Sequence, residues 1–358
     1  MAGFARIATR RLAAGLALAA GLVAAGSGEA AAAPPAPWLV AAWEAYAARF
    51  VEDGRVVDDA NGITHSEGQG YAMLIAVRAG DRAGFDRIWD WTRRSLMIRE
   101  DGLVAWRWEE GESPGVTDPN NATDGDVLVA WALLEAAERW RVPAYAEAAR
   151  ALAVAVGEAT LIETPYGLSM LPGAAGFRAG DQPDGPIANL SYWVFPAFDR
   201  LAGIAPEYPW AALEETGLSL IAQARFGPLR LPPDWIALGG ETLAPADGFA
   251  PLFGYNGIRI PLYLAWAGSG GREHLAMFAG MWSERDDIGP FEIDVATGAA
   301  TEEMGGDGYK AIAAFVGCAL QGRPLPERLR SVPMQKYYPT TLHILTLIAI
   351  EERFPQCL

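Results

Sequence analysis

Asn120-Asn121-Ala122-Thr123-Asp124-Gly125-Asp126-Val127-Leu128-Val129-Ala130-Trp131-Ala132-Leu133-Leu134 is the stretch that decides the fold of this chain. From Val127 it is apolar on nearly every face at a helical repeat, which marks a helix buried on all sides. The next helical stretch, 144–161, is one-sided. Tyr145, Ala148, Leu152 and Val156 oppose Glu147, Arg150 and Glu158, as in a helix with one face in water. The same alternation recurs outward along the chain, at 66–79 then 82–97, 189–203 then 209–224, and 256–267 then 272–284. Further helices are expected at 38–51, 308–321 and 338–353, with a shorter twelfth near 325–332. No β-branched alternation is long enough for a dominant sheet. Helical hairpins that repeat in this way predict an all-α fold, an (α/α)6 barrel with an inner ring of helices inside an outer one. A helical solenoid would also alternate, but it carries stronger sequence repeats.

Residues 1–33 read differently. Arg6, Arg10 and Arg11 form a basic head, an apolar run extends from Leu12 to Ala25, and Ala31-Ala32-Ala33 precedes Pro34-Pro35. That order is a secretory leader with a small-residue cleavage site. The apolar run is shorter than the roughly 20 residues that span a bilayer. The expectation is an exported chain, periplasmic or secreted, with a signal peptide over 1–33 and one domain over 34–358. The Arg10-Arg11 pair leaves both the general and the twin-arginine export routes open.

The formal net charge is −16, and the leader, with three arginines against one glutamate, only dilutes it. So acidic a chain repels nucleic acid and anionic lipid. Nothing after residue 38 resembles a membrane span, and a neutral partner fits best. Cys318 and Cys357, the two cysteines, permit one bridge in an oxidising compartment. Three scattered histidines without a Cys/His cluster argue against a zinc site.

Two motifs carry chemistry. In Thr64-His65-Ser66-Glu67-Gly68-Gln69-Gly70-Tyr71-Ala72-Met73, both Thr64…Glu67 and Ser66…Gln69 have the spacing of a capping box. The plain reading of Glu67 is therefore a helix cap. The sharper one is a carboxyl at the mouth of a buried helix, where desolvation beside Tyr71 and Met73 would suit a general acid. In the second motif Thr123 is a natural N-cap, and acids in the first turn complement the helix dipole. Capping explains less well why Asp124 and Asp126 flank a glycine before so apolar a helix, since burying both is costly without partners. Sugar hydroxyls would supply partners. Acids on two different inner helices, opening on an aromatic-rich mouth, fit glycoside hydrolysis. The long connections 101–121 and 226–255 supply those aromatics and, being long, tend to be functional. Trp106, Trp108 and Trp235 sit in them beside the motifs, where an indole face could stack on a pyranose ring.

Ser66-Glu67-Gly68-Gln69-Gly70-Tyr71-Ala72-Met73 resembles the acid motif of glycoside hydrolase family 8, and Ala122-Thr123-Asp124-Gly125-Asp126 with Ala130 and Trp131 resembles that family's signature stretch. The likeness continues through Trp106-Arg107-Trp108, Asn189-Leu190-Ser191-Tyr192, Leu231-Pro232-Pro233-Asp234-Trp235, Tyr255-Asn256-Gly257-Ile258-Arg259 and Tyr337-Tyr338. The resemblance implies an (α/α)6 fold, no metal or cofactor, and inverting endo-hydrolysis of β-1,4-glucan. It implies Glu67 as general acid, Asp124 holding the sugar at the cleavage subsite, and Tyr192 and Arg259 around that subsite. The likeness is to endoglucanases that accompany bacterial cellulose synthesis, which implies association with that machinery. Xylan, chitosan or mixed-linkage β-glucan would suit the same chemistry.

One departure matters. Many members carry Asp, their general base, where this chain has Asn256, and asparagine cannot take the proton from water as a carboxylate does. Inversion needs a carboxylate roughly 6.5–9.5 Å from the acid. Three readings follow: a loop carboxylate such as Asp247 is the base, Asp124 takes part more directly, or the protein binds glucan without cleaving it.

Overall fold

The alternation of buried and half-buried helices is present in the computed structural model, which describes residues 34–279 and 289–358. The leader, and the end of the helix expected at 272–284, lie outside the described residues. Among the described residues there are eleven α-helices: α1 (Pro37–Phe50), α2 (Ser66–Ala79), α3 (Arg82–Ser95), α4 (Thr123–Trp140), α5 (Pro143–Thr160), α6 (Phe195–Ile204), α7 (Trp210–Gln223), α8 (Arg259–Ala267), α9 (Arg272–Ala279), α10 (Asp307–Gln321) and α11 (Tyr337–Arg353). The twelfth expected helix is only a 3-10 turn, Glu327–Leu329. Pro324 and Pro326 precede it, and neither has an N–H to donate to a helical ladder.

α2 buries every residue except Glu67 and Arg78, and α8 every residue except Ala267. α3 buries Phe85, Ile88, Trp89 and Thr92, the spacing of a single face. α2 packs on α4, α4 on α6, α6 on α8, α8 on α10, α10 on α11, and α11 returns to α2. Glycine sets how closely α2 and α4 approach. A Cβ at Gly70 would lie 2.6 Å from Leu128 Cβ, and one at Gly125 would collide with Ser66 Oγ and lie 2.8 Å from Glu67 N. Only a hydrogen fits at either position, and so the first turns of α2 and α4 sit side by side.

Both expected caps are corrected. His65 caps α2, its Nδ1 accepting from Gly68 N at 3.0 Å. Gln69 turns away to satisfy residues distant in sequence. It accepts from Val56 N at 2.7 Å and donates to Thr92 Oγ1 at 2.7 Å and Gly54 O at 3.1 Å. Thr123 is already helical, and its hydroxyl donates to Leu171 O at 2.7 Å. The helix expected at 189–203 begins only at Phe195. Asn189 Oδ1 accepts from Ser191 N and Oγ, which holds Leu190–Tyr192 as a separate 3-10 turn. The helix expected at 256–267 begins at Arg259 because Asp234 Oδ1 takes the N–H groups of Gly254 and Gly257 and holds a turn there.

The long connections are not structureless. Ile63–His65, Ala105–Glu109 and Val116–Asn121 pair antiparallel into one three-stranded sheet. Among the described residues five such small sheets, with no strand longer than six residues, decorate the helices. A disulfide joins Cys318 on α10 to Cys357 near the C-terminus, 39 residues on.

Candidate active site

The N-terminal turns of α2, α8 and α11 open on one cleft of about 820 Å³, whose walls include His65, Glu67, Trp106, Tyr192, Asn256, Arg259 and Tyr337. Helix N-termini carry the positive end of the peptide dipoles, so this end of the fold favours carboxylates. Glu67 and Asp124 both meet Arg259. Its Nη1 donates to Glu67 Oε2 at 2.5 Å and to Asp124 Oδ2 at 2.7 Å, while Nη2 donates to Ser191 Oγ at 2.9 Å and Asn256 Oδ1 at 2.8 Å. The guanidinium lies 5.6 Å from the centre of the Tyr192 ring. Behind it, Tyr71 and Tyr263 share a hydroxyl hydrogen bond of 2.6 Å.

Arg259 and Asp124 are buried, whereas Glu67 reaches the cleft with 16 % of its side chain exposed. Burial pushes the Asp124 carboxyl well above the usual range. The neighbouring Glu67 charge and a hydrogen bond with Glu67 add to this, and Arg259 opposes it. Asp126 turns the other way. It accepts from Val104 N at 2.8 Å and Asn121 Nδ2 at 2.8 Å, and burial pushes it up to about 8. The two acids around Gly125 thus have separate duties: one faces the arginine, and the other fastens the loop before α4. Burial holds His65 below the ordinary imidazole value, in keeping with a neutral ring whose Nδ1 accepts.

The aromatics divide. Trp106 lines the cleft. Trp108, next but one on the same strand, packs against Trp91 (ring centres 5.5 Å apart) and under Arg55. Trp235 is sandwiched between Phe249, 4.6 Å away, and Phe177, 5.7 Å away, with its neighbour Tyr192 edge-on. Trp235 therefore supports Tyr192 from behind the wall. Asp247 sits on an exposed turn away from the cleft wall, its N–H donating to Asp184 Oδ2 at 2.8 Å.

Several site residues had no role in the sequence reading. Asp58, Tyr309, Tyr337 and Tyr338 line the cleft, and Asp234 lies directly behind Asn256. Asp234 stands in the Pro232-Pro233-Asp234-Trp235 motif, but nothing in the spacing pairs it with a residue 22 positions later. Among the described residues there is no cluster of His, Cys, Asp and Glu able to hold a metal ion.

Comparison with known proteins gives the chain its family. Residues 14–352 match the model for glycosyl hydrolases family 8. A probable endoglucanase of Novacetimonas hansenii is 39% identical over 327 residues, which span 89% of this chain and 93% of that protein. Among solved structures, the endo-β-1,4-glucanase CMCax from Acetobacter xylinum superposes with a TM-score of 0.79 at 36% identity, covering 88% of this chain and 98% of that one. The family 8 endoglucanase Cel10 from Klebsiella pneumoniae gives 0.79 at 34% identity, covering 87% and 99%. With the acid motif, the signature stretch and the arginine that joins them all in place, the chain belongs to glycosyl hydrolase family 8.

Proposed function

We propose that this protein is an endo-acting β-1,4-glucanase that inverts the anomeric centre, with Glu67 as its general acid. The observation that carries this reading is Glu67 and Asp124 meeting on Arg259 at the wall of an open cleft. Burial raises the Asp124 carboxyl above its usual range, and both carboxyls meet on one nitrogen of Arg259, so a charge on one is felt by the other. Glu67, the member that reaches the cleft, is the one placed to give a proton to the glycosidic oxygen. Arg259 then stabilises the carboxylate left behind, and the preorganised charge costs no rearrangement. Trp106, Tyr192 and Asn256 line the path of the sugar chain. Likeness to endoglucanases over most of the chain supports β-1,4-glucan as substrate.

The closed circuit of α2, α4, α6, α8, α10 and α11 supports an (α/α)6 barrel with these six helices inside. The basic and apolar order of residues 1–33 supports export, with 34–358 as the mature domain. A disulfide of the Cys318–Cys357 kind persists in oxidising compartments. Association with a cellulose-synthesis machinery rests on likeness of sequence and is tested by co-purification with the synthase.

Soluble carboxymethylcellulose tests the activity. Viscosity should fall well ahead of the release of reducing ends, and proton NMR of early product should show the α-anomer. Early β-anomer would mean retention and a different pair of carboxylates. Asn256 favours a second reading, glucan binding without cleavage, which predicts affinity for cello-oligosaccharides and no fall in viscosity.

A further inference from the structure

Asn256 has two unlike neighbours, and each fixes one end of its amide. An ionised Asp234 can only accept, and Arg259 can only donate. The amide therefore turns Nδ2 toward Asp234 Oδ2 at 3.3 Å and Oδ1 toward Arg259 Nη2 at 2.8 Å. Its carbonyl oxygen keeps a second lone pair, and the residue faces the cleft. Asp234 does not line the cleft. It is 9% exposed and spends Oδ1 on Gly254 N at 3.0 Å and Gly257 N at 2.8 Å, leaving Oδ2 to Asn256. A buried carboxylate thus stands one amide away from the place where a water would attack.

We propose that Asp234 is the final acceptor of the attacking water's proton, reached through the side-chain amide of Asn256. The proposal rests on the hydrolase reading above and deepens it. One O–H bond of the water breaks, and its proton moves to Asn256 Oδ1. The Nδ2–H proton moves to Asp234 Oδ2. The freed electron pair on the water oxygen forms the bond to the anomeric carbon, and the bond to the departing sugar breaks as Glu67 protonates its oxygen. Asn256 is left as an imidic acid, Asp234 as a neutral acid and Glu67 as a carboxylate. Asp234 then returns its proton to Nδ2, and the Oδ1 proton passes through solvent to Glu67, which resets the site. Burial holds Asp234 above the usual carboxylate range, which strengthens it as a base. Arg259, bonded to the carbonyl, polarises the amide and makes its N–H the better donor.

The test measures kcat, KM and melting temperature for full-length variants on carboxymethylcellulose. Asp234→Asn keeps an oxygen for the two glycine N–H groups but turns an N–H donor toward Asn256. Its kcat should fall by about 100-fold or more, with KM little changed. Combining Asp234→Asn with Asn256→Asp exchanges donor and acceptor and places a carboxylate in the cleft itself. The double variant should recover to within about tenfold of wild type. The acid limb of its kcat profile should move to lower pH, because the new base is half-exposed and beside Arg259. A purely structural Asp234 would leave that limb in place. Full activity in Asp234→Asn, or a folded double variant as inactive as the single one, overturns the relay. So does loss of turnover in Asp247→Ala, which would assign the base to the exposed turn. Wild type without any turnover overturns the hydrolase reading and the relay together, whereas turnover that survives Asp234→Asn overturns the relay alone.

Discussion

The same helices build an arginine between two carboxylates at each of their ends. At the cleft, Arg259 joins Glu67 of α2 to Asp124 of α4. At the opposite end, Arg78 of α2 joins Glu135 of α4 to Glu352 of α11, beside a second pocket of about 450 Å³. There the indole N–H groups of Trp131 and Trp266 donate to Glu135 and Glu352 at 3.0 and 2.7 Å. The two clusters differ in solvent. In the near cluster Arg259 and Asp124 are 1 % and 0 % exposed and only Glu67 reaches solvent, at 16 %, whereas all three members of the far cluster do, Arg78, Glu135 and Glu352 at 20 %, 20 % and 35 %. Water screens the far cluster, so it acts as a clasp with little stake in any one proton. Dry surroundings make the near cluster sensitive to a single charge. Ion-pair geometry alone therefore does not tell the two ends apart, and desolvation does.

Removing the acid should break the symmetry most. Glu67→Gln should lower kcat by roughly 10²–10⁴-fold with an unchanged melting temperature, while Glu135→Gln should leave kcat near wild type. A loss within about threefold in Glu67→Gln would be too small for a general acid. Next come the arginines. Arg259→Leu leaves a buried carboxylate pair unpartnered and should cost about 3–5 kcal/mol in urea unfolding. Arg78→Leu should cost about 1 kcal/mol or less. Equal costs would mean that burial does not set the two clusters apart.

The most gradual effect is one of pH. Asp126 is raised in the folded chain from an ordinary 3.8 to about 8, so between these values the folded state holds a proton that unfolding releases. Its contribution to stability is full below about pH 4 and is lost as pH rises through about 8, at no more than about 1.4 kcal/mol per pH unit. Asp126→Asn should flatten that fall in a series of melts from pH 5 to 8. An unchanged slope would mean that Asp126 is ionised despite its burial.

Much of this was legible in the chain. Alternating buried and one-sided helices came from periodicity, and Glu67, Asp124, Tyr192 and Arg259 came from motifs that the fold brings to one place. Local spacing failed where a partner was remote. Ser66…Gln69 has a capping-box interval, yet Gln69 is claimed by Gly54, Val56 and Thr92, which a window of four residues cannot contain. Trp235 in a polar loop looked free to meet sugar, but Phe177, far back in the sequence, covers it. Asp234 was visible only as part of a motif, because its importance lies in a turn that it folds around itself.

Gly125 has a consequence for how this enzyme can change. Because a methyl group there would meet Ser66 and Glu67, the interval between the acid and its buried neighbour is set by two backbones in contact. Substitution at Gly125 offers no graded way to widen or narrow it. The proposed function then leaves adaptation to a different sugar to the rest of the cleft wall, to Asn256, Tyr192 and the strand that carries Trp106, and directed evolution would do well to spend its libraries there.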